Sequence, residues 1–273
     1  ICHGGAAAET KRLSYNYKNT LKEFLKRYND KKEYKKKVGF LGELLVHIIA
    51  HELLIDYNVS SPFFNIEEVS QRLADENPNN VIFFHCGCYG KFDKKTIIPS
   101  IRYWKAKQRI DKQLIVGLHI SYRAATNDTA LKLEKWILEK CLGRQVSKCR
   151  FHYLKFALPY GYDRLEQFGF TDDYSMAYSN VAGYRAGTSR PFSFYNIEKE
   201  EESKLTIHPL IVMDKTLRSN MKLNVDAAYQ YIDTLKKSSN AIGGDFTTLF
   251  HNENVADLNG WGEWGKRFFK NRT

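Results

Sequence analysis

The feature that most limits what this chain can fold into is an alternation sustained over its last two thirds. Short runs that read as strands, at residues 81–85, 114–119, 146–153, 205–213 and 243–248, are separated by longer stretches of helical periodicity. The early runs are apolar without a break, as expected of strands covered on both faces. The helical stretches fall at 99–108, 127–142, 159–168, 225–237 and 261–269. Asn127 or Thr126 and Asn224 are suited to cap two of them, and Gly143 and Gly169 to end two. In the 127–142 helix, Leu131, Leu133, Ile137, Leu138 and Leu142 make the expected inner face. Residues 170–196 read as irregular and 198–202 as an acidic turn. Strand–helix alternation predicts parallel strands joined by right-handed crossovers, in a barrel or an open sheet.

Upstream the character changes. Residues 13–37 and 40–55 read as helices, and a third runs from Pro62 to Glu76. Of a net charge of +11, from 42 Lys and Arg against 31 Asp and Glu, much lies in residues 11–37. Residues 1–60 read as a basic helical appendage or lid on a barrel of residues 61–273, the two forming one structural domain. No recognition helix or base-stacking motif accompanies the charge, so nucleic acid is not an expected partner. Peripheral contact with a membrane or anionic polymer through the basic helices is the weaker alternative. No apolar window is long enough to span a bilayer, and no leader is evident. The chain opens on Ile1 rather than Met, so a native start upstream is expected. Five cysteines, an odd number, suit a reducing compartment, and a cytoplasmic location, at most at the inner face of the membrane, is expected. Cys86 and Cys88 read as small apolar residues. His47 and His51 stand four apart, but Ile48 occupies the place where a helical zinc-protease motif needs Glu; they read as two helix-face histidines.

Chemistry gathers where strands end. His119 closes one run, Arg150 and His152 another, Asp214 follows a third and His251 a fourth; His85 and Asp93 are neighbours by the same logic. Strand ends on one edge of a parallel sheet are adjacent in space. Two or three imidazoles with a carboxylate can hold a divalent ion. A further imidazole can protonate a leaving group, and an Arg can hold a carboxylate or an anionic intermediate.

Several of these segments together resemble a known family. VGLHISY (116–122), the 133–156 segment ending in CRFHYLKF, DDYSMAYSNVAGYRAGTSRPFSFY (172–195), LTIHPLIVMDKTL (205–217) and GGDFTTLFHNE (243–253) resemble the polysaccharide deacetylases. The resemblance is to the divergent bacterial branch associated with surface-polysaccharide genes, and it covers residues from about 60 onward. It implies a distorted, incomplete (β/α) barrel and metal-dependent hydrolysis of acetyl groups on sugars. Carried over residue by residue, it makes His119 and His152 the metal ligands, with zinc the expected ion. His251 becomes the catalytic acid and Arg150 its catalytic partner. Tyr122, Tyr153, Arg185 and Asp214 are the expected substrate contacts, and Tyr184 and Trp261 are further aromatics that could meet a sugar ring. The chain departs from the family twice. Arg123 stands where the motif has a second His, and residues 1–10, where an Asp pair is expected, contain only Glu9 as an acid. These departures support the alternative, a non-catalytic saccharide-binding or accessory protein on the same scaffold.

Overall fold

The computed structural model describes residues 65–87, 91–93, 101–251, 254 and 262–270. The expected N-terminal helices, His47, His51, Cys2, Cys88 and Trp261 lie outside the described residues. In order come α1 (Asn65–Glu76), β1 (Val81–His85), α2 (Ile101–Asp111), β2 (Ile115–Ile120), α3 (Asp128–Leu142), β3 (Lys148–Phe151), α4 (Tyr160–Gln167) and β4 (Asp172–Asp173). They are followed by β5 (Phe192–Asn196), β6 (Glu201–Ile207), β7 (Val212–Met213), α5 (Val225–Ala241), β8 (Thr248–Leu249) and α6 (Gly262–Lys270). Six strands form one sheet in the order β1-β2-β3-β4-β6-β5, and β7 and β8 pair separately. The pairs β1–β2, β2–β3, β3–β4, β4–β6 and β7–β8 are parallel.

Local chemistry sets the helix ends. The Asn127 side chain accepts from the Ala130 amide at 2.8 Å and starts α3. Gly143, at φ 72°, ends it in the left-handed conformation that glycine adopts without steric cost. Asn224 caps α5 in the same way as Asn127.

Strand parity divides the interior in two. Ile82, Phe84, Val116, Leu118, Ile120, Cys149 and Phe151 face the helices and belong to the main core, with Leu131 and Leu138 of α3. The alternate residues face the other way. Phe83 packs with Ala177, Leu210, Met213 and Leu249 in a second cluster that bridges the six-stranded sheet to β7 and β8. These residues fill the inside of the barrel. No ladder joins the two sheets among the described residues, so the barrel is open.

Four sequence expectations change. The run 205–213 is two strands, because Pro209 has no N–H to extend a ladder. β6 begins at Glu201, within the expected acidic turn, and pairs antiparallel with β5 as a hairpin, an exception to the all-parallel reading. The 243–248 strand shrinks to Thr248–Leu249. Gly243 and Gly244 are instead spent ending α5, their amides bonding to Asn240 and Ser239 carbonyls. On α3, Leu133 is 45% exposed, while Glu134 turns inward. Among the described residues no helix is long and apolar enough to cross a membrane.

Candidate active site

The parity that sends Phe83 into the barrel also sends His85, two residues on, to its rim. In register, His85 lies beside His119, and His119 beside Arg150. One layer across three strands therefore carries two imidazoles and a guanidinium. His152 stands two residues past Arg150, just beyond the end of β3, where a short turn begins. Its ring centroid lies 4.8 Å from that of His119 and 5.3 Å from that of His85.

Asp93 ties this group together. Its Oδ1 accepts from His85 Nε2 at 3.2 Å, His152 Nδ1 at 2.9 Å and the Tyr122 amide at 2.8 Å. Its Oδ2 accepts from the Arg123 amide at 3.2 Å. Burial works against the ionised carboxyl, but the bonds from His152, His85 and the two amides outweigh it and hold Asp93 well below the usual carboxylate range. Desolvation, with the neighbouring imidazoles, pushes His119 and His152 toward the neutral form, although Asp93 opposes this at His152. Neutral imidazoles with lone pairs beside a carboxylate are the donor set of a divalent-metal site. His85, Asp93 and His152 each offer one ligand atom, all within 4.8 Å of one another. The chemistry and spacing of these three residues fit a metal ion. His119, an expected ligand, adjoins the three rather than being one of them.

A second layer fixes the loop behind Asp93. Glu134 accepts from the Ser121 amide at 3.0 Å and from its hydroxyl at 2.5 Å. Ser121 Oγ in turn accepts from the Ala124 amide. This anchors the turn that presents the Tyr122 and Arg123 amides. Burial raises the Glu134 carboxyl above its ordinary range despite the Ser121 bonds. Gly87 fits closely here: a Cβ would lie 2.8 Å from His85 Cε1 and 2.9 Å from Glu134 Oε1.

The opposite wall carries a dyad. His251 Nδ1 donates to Asp214 Oδ1 at 2.7 Å, and its amide donates to Oδ2, also at 2.7 Å. Asn254 Nδ2 gives Oδ2 a further bond. Burial opposes ionisation of Asp214, but His251 and these hydrogen bonds hold its carboxyl below the ordinary value. Asp214 is wholly buried behind His251, a position that orients the imidazole and leaves no surface for a substrate.

The other expected site residues divide. Arg150 is buried inside the barrel, donating to the Tyr174 carbonyl at 3.3 Å and approaching Met213 Sδ. Its Nε has no partner among the described residues. Tyr122 and Tyr153 stand together at the rim, ring centroids 6.1 Å apart, and Tyr153 lies 4.5 Å from His152. Arg185 instead lies over the Phe156 ring, and Tyr184 bonds to Ser239 and the Asp245 carbonyl. Phe92, Glu134 and Lys155 were not singled out from sequence. Only the position of Phe92, next to Asp93, hinted at a role.

No family model matches the sequence, and no curated protein matches it. Among solved structures, the fold is similar to a protein of Mycobacterium smegmatis described as a "putative polysaccharide deacetylase". The TM-score is 0.55 at 12% identity, over 78% of this chain and 72% of that one. A protein of Bordetella bronchiseptica, given the same description and said to be involved in O-antigen biosynthesis, also matches. Its TM-score is 0.46 at 12% identity, covering 76% of this chain and 75% of that one. The Mycobacterium likeness establishes the fold as the incomplete (β/α) barrel of the polysaccharide deacetylase type.

Proposed function

We propose that the chain is a metal-dependent hydrolase that removes acetyl groups from a saccharide of a polysaccharide or glycoconjugate. The observation that carries this is the convergence of His85, Asp93 and His152 at the rim of a barrel of the deacetylase type, facing the His251–Asp214 dyad. In this reading His85, Asp93 and His152 hold the ion, and two nitrogens with one carboxylate oxygen favour zinc. Held there, zinc would supply Lewis acidity toward the acetyl carbonyl and activation of the hydrolytic water. His251 delivers a proton to the departing amine or alcohol, its Nδ1–H held by Asp214 so that Nε2 faces the site. Arg150, buried and without a carboxylate hydrogen-bond partner among the described residues, favours negative charge developing above it. Tyr122 and Tyr153 receive the sugar. His119, packed against His152, keeps that ring in place.

The test is acetate release from acetylated hexosamine oligomers by protein supplied with zinc. Wild-type protein is expected to release acetate, and His251→Ala to release it at least about 100-fold more slowly, the usual contribution of a general acid. A second reading, saccharide binding without hydrolysis, draws on one observation. The carboxylates around the group, Asp93, Asp214 and Glu134, are each engaged in hydrogen bonds within the protein. Binding of the oligomers with no acetate released, at any pH and with zinc supplied, would favour it.

A further inference from the structure

Beside the His85–Asp93–His152 group the surface is aromatic and cationic. Phe92 and Tyr122 lie with ring centroids 4.3 Å apart, and Tyr153 closes the patch at 5.8 Å from Phe92. Tyr153 is 63% exposed and Phe92 38%. Tyr153 holds φ 56° and Leu154 φ 52°, a left-handed backbone that is strained for side-chain-bearing residues. The packed barrel sustains this conformation, and its result is a Tyr153 ring turned outward beside His152. Strain of this kind concentrates at ligand-binding sites.

Some cations elsewhere on the molecule are committed to carboxylates. Lys135, Arg144, Lys148, Arg164, Lys199 and Arg267 each pair with a carboxylate. Around the aromatic patch, Lys91, Arg123 and Lys155 have no such partner among the described residues. Lys155 is the best placed. Its Nζ lies 3.8 Å from the centre of the Tyr122 ring and donates to the Tyr122 carbonyl at 3.3 Å. An ammonium has three N–H donors, so donor capacity remains after that bond. It is half-buried on an aromatic face, where an ion pair is less screened than in open water. Among the described residues Asp93 pairs with His85 and His152 and makes no ion pair with Lys155.

We infer that the rim of Phe92, Tyr122, Tyr153 and Lys155 selects an acidic saccharide, one whose ring rests on the aromatic faces and whose carboxylate or phosphate is held by Lys155. The inference rests on the proposed saccharide hydrolase and adds the charge of its substrate. Arg123 and Lys91, both exposed beside the patch, add to the positive field. The sugar ring and the anion are bound by different residues from those that hold the reacting acetyl group, so selectivity is separable from chemistry.

The test compares three probes: a neutral N-acetylhexosamine, its 6-carboxylate and its 6-phosphate. Each is measured by calorimetry for binding and by acetate release. One charge-assisted contact corresponds to roughly tenfold in affinity. Wild-type protein is expected to bind at least one acidic probe about tenfold tighter than the neutral one, and the better acid identifies the source of the anion. Raising the salt should shrink the margin. Lys155→Gln should bring acidic and neutral probes to within about twofold, Lys155→Arg should restore most of the margin, and Lys112→Gln, before β2 at the far end of that strand, should leave it intact. Equal affinity for neutral and acidic probes overturns the inference while leaving the hydrolase reading standing. Tighter binding of acidic probes with no acetate release supports the inference and removes the hydrolase reading. Binding of none of the three overturns both. If Lys155→Gln proves unfolded by circular dichroism, the wild-type comparison of probes still decides.

Discussion

Replacing Asp93 by Ala removes, in one step, the acceptor of four hydrogen bonds. Two come from His85 and His152 and two from the Tyr122 and Arg123 amides. Water can reach the exposed Arg123 and the half-buried His152 and compensate there. It reaches the buried His85 far less, and the Tyr122 amide only in part. A buried donor left unsatisfied costs about 1–3 kcal/mol, so two of them give a loss of about 2–6 kcal/mol. Asp93→Asn keeps one oxygen acceptor and turns an NH2 toward the remaining donors, for a loss of about 1–3 kcal/mol. The assay is urea unfolding at neutral pH in chelator, with the slope m checked for constancy. The carboxylate also leaves a signature in pH. A carboxyl held below its unfolded value contributes stability that is present above about pH 3.9 and lost as pH falls through the lower folded value. Wild-type protein should therefore lose stability in acid more steeply than Asp93→Asn. An Asp93→Ala variant within about 0.5 kcal/mol of wild type, the range of an ordinary surface substitution, would refute the view that Asp93 organises the site.

Four further outcomes follow from the same structure. Burial pushes the Asp173 carboxyl up to about 6, so its contribution runs the other way: full below about pH 3.9 and lost as pH rises through 6. Asp173→Asn should remove up to about 3 kcal/mol of pH-dependent change over that window, seen in thermal melts. Glu134→Ala should loosen the turn that presents the Tyr122 and Arg123 amides and weaken zinc binding about 10- to 100-fold, as loss of outer-shell support does, with Glu134→Gln recovering much of it. Gly117→Ala should cost about 1–3 kcal/mol in urea unfolding, because the new Cβ would meet the Phe83 ring at 2.6 Å and the Lys148 carbonyl at 2.8 Å. Asp214→Asn should fold but slow acetate release by at least about tenfold, with a changed acid limb in its pH–rate profile, because His251 loses its orienting charge.

Much of the fold was legible because its signals are local. Asn127, Gly143 and Asn224 mark helix ends through their own side-chain or backbone chemistry, and continuous apolar runs mark β1 and β2. The 205–213 and 243–248 runs misled because a run of strand length does not show which residues pair. Pro209 splits the first, and in the second Gly243 and Gly244 serve the end of α5. Glu134 was hidden for a similar reason. A charged residue on a helix ordinarily reads as solvent-facing, and only the Ser121 donors across the barrel rim explain its burial. At the site, His152 and His251 were visible as strand-end imidazoles. His85 and Asp93 were named as neighbours by the same logic, and geometry supplied the rest: strand register sets His85 beside His119, and Asp93 bonds to both His85 and His152 from a loop. Asp214, read as a substrate contact, is buried behind His251: the parallel pairing of β7 and β8 brings the ends of the two strands together, and Asp214 accepts from the His251 amide and ring.

The central claim is that His85, Asp93 and His152 form a metal site. Titration of chelator-stripped protein with zinc against a chromophoric competitor tests it most directly. The account predicts one tightly held zinc ion per chain, with affinity falling as pH drops because the imidazoles must be neutral. It predicts losses of at least about 100-fold in His85→Ala and His152→Ala, since each removes a direct ligand where even outer-shell changes cost 10- to 100-fold. Absence of zinc binding by folded wild-type protein, or binding by both variants as tight as wild type, would contradict it.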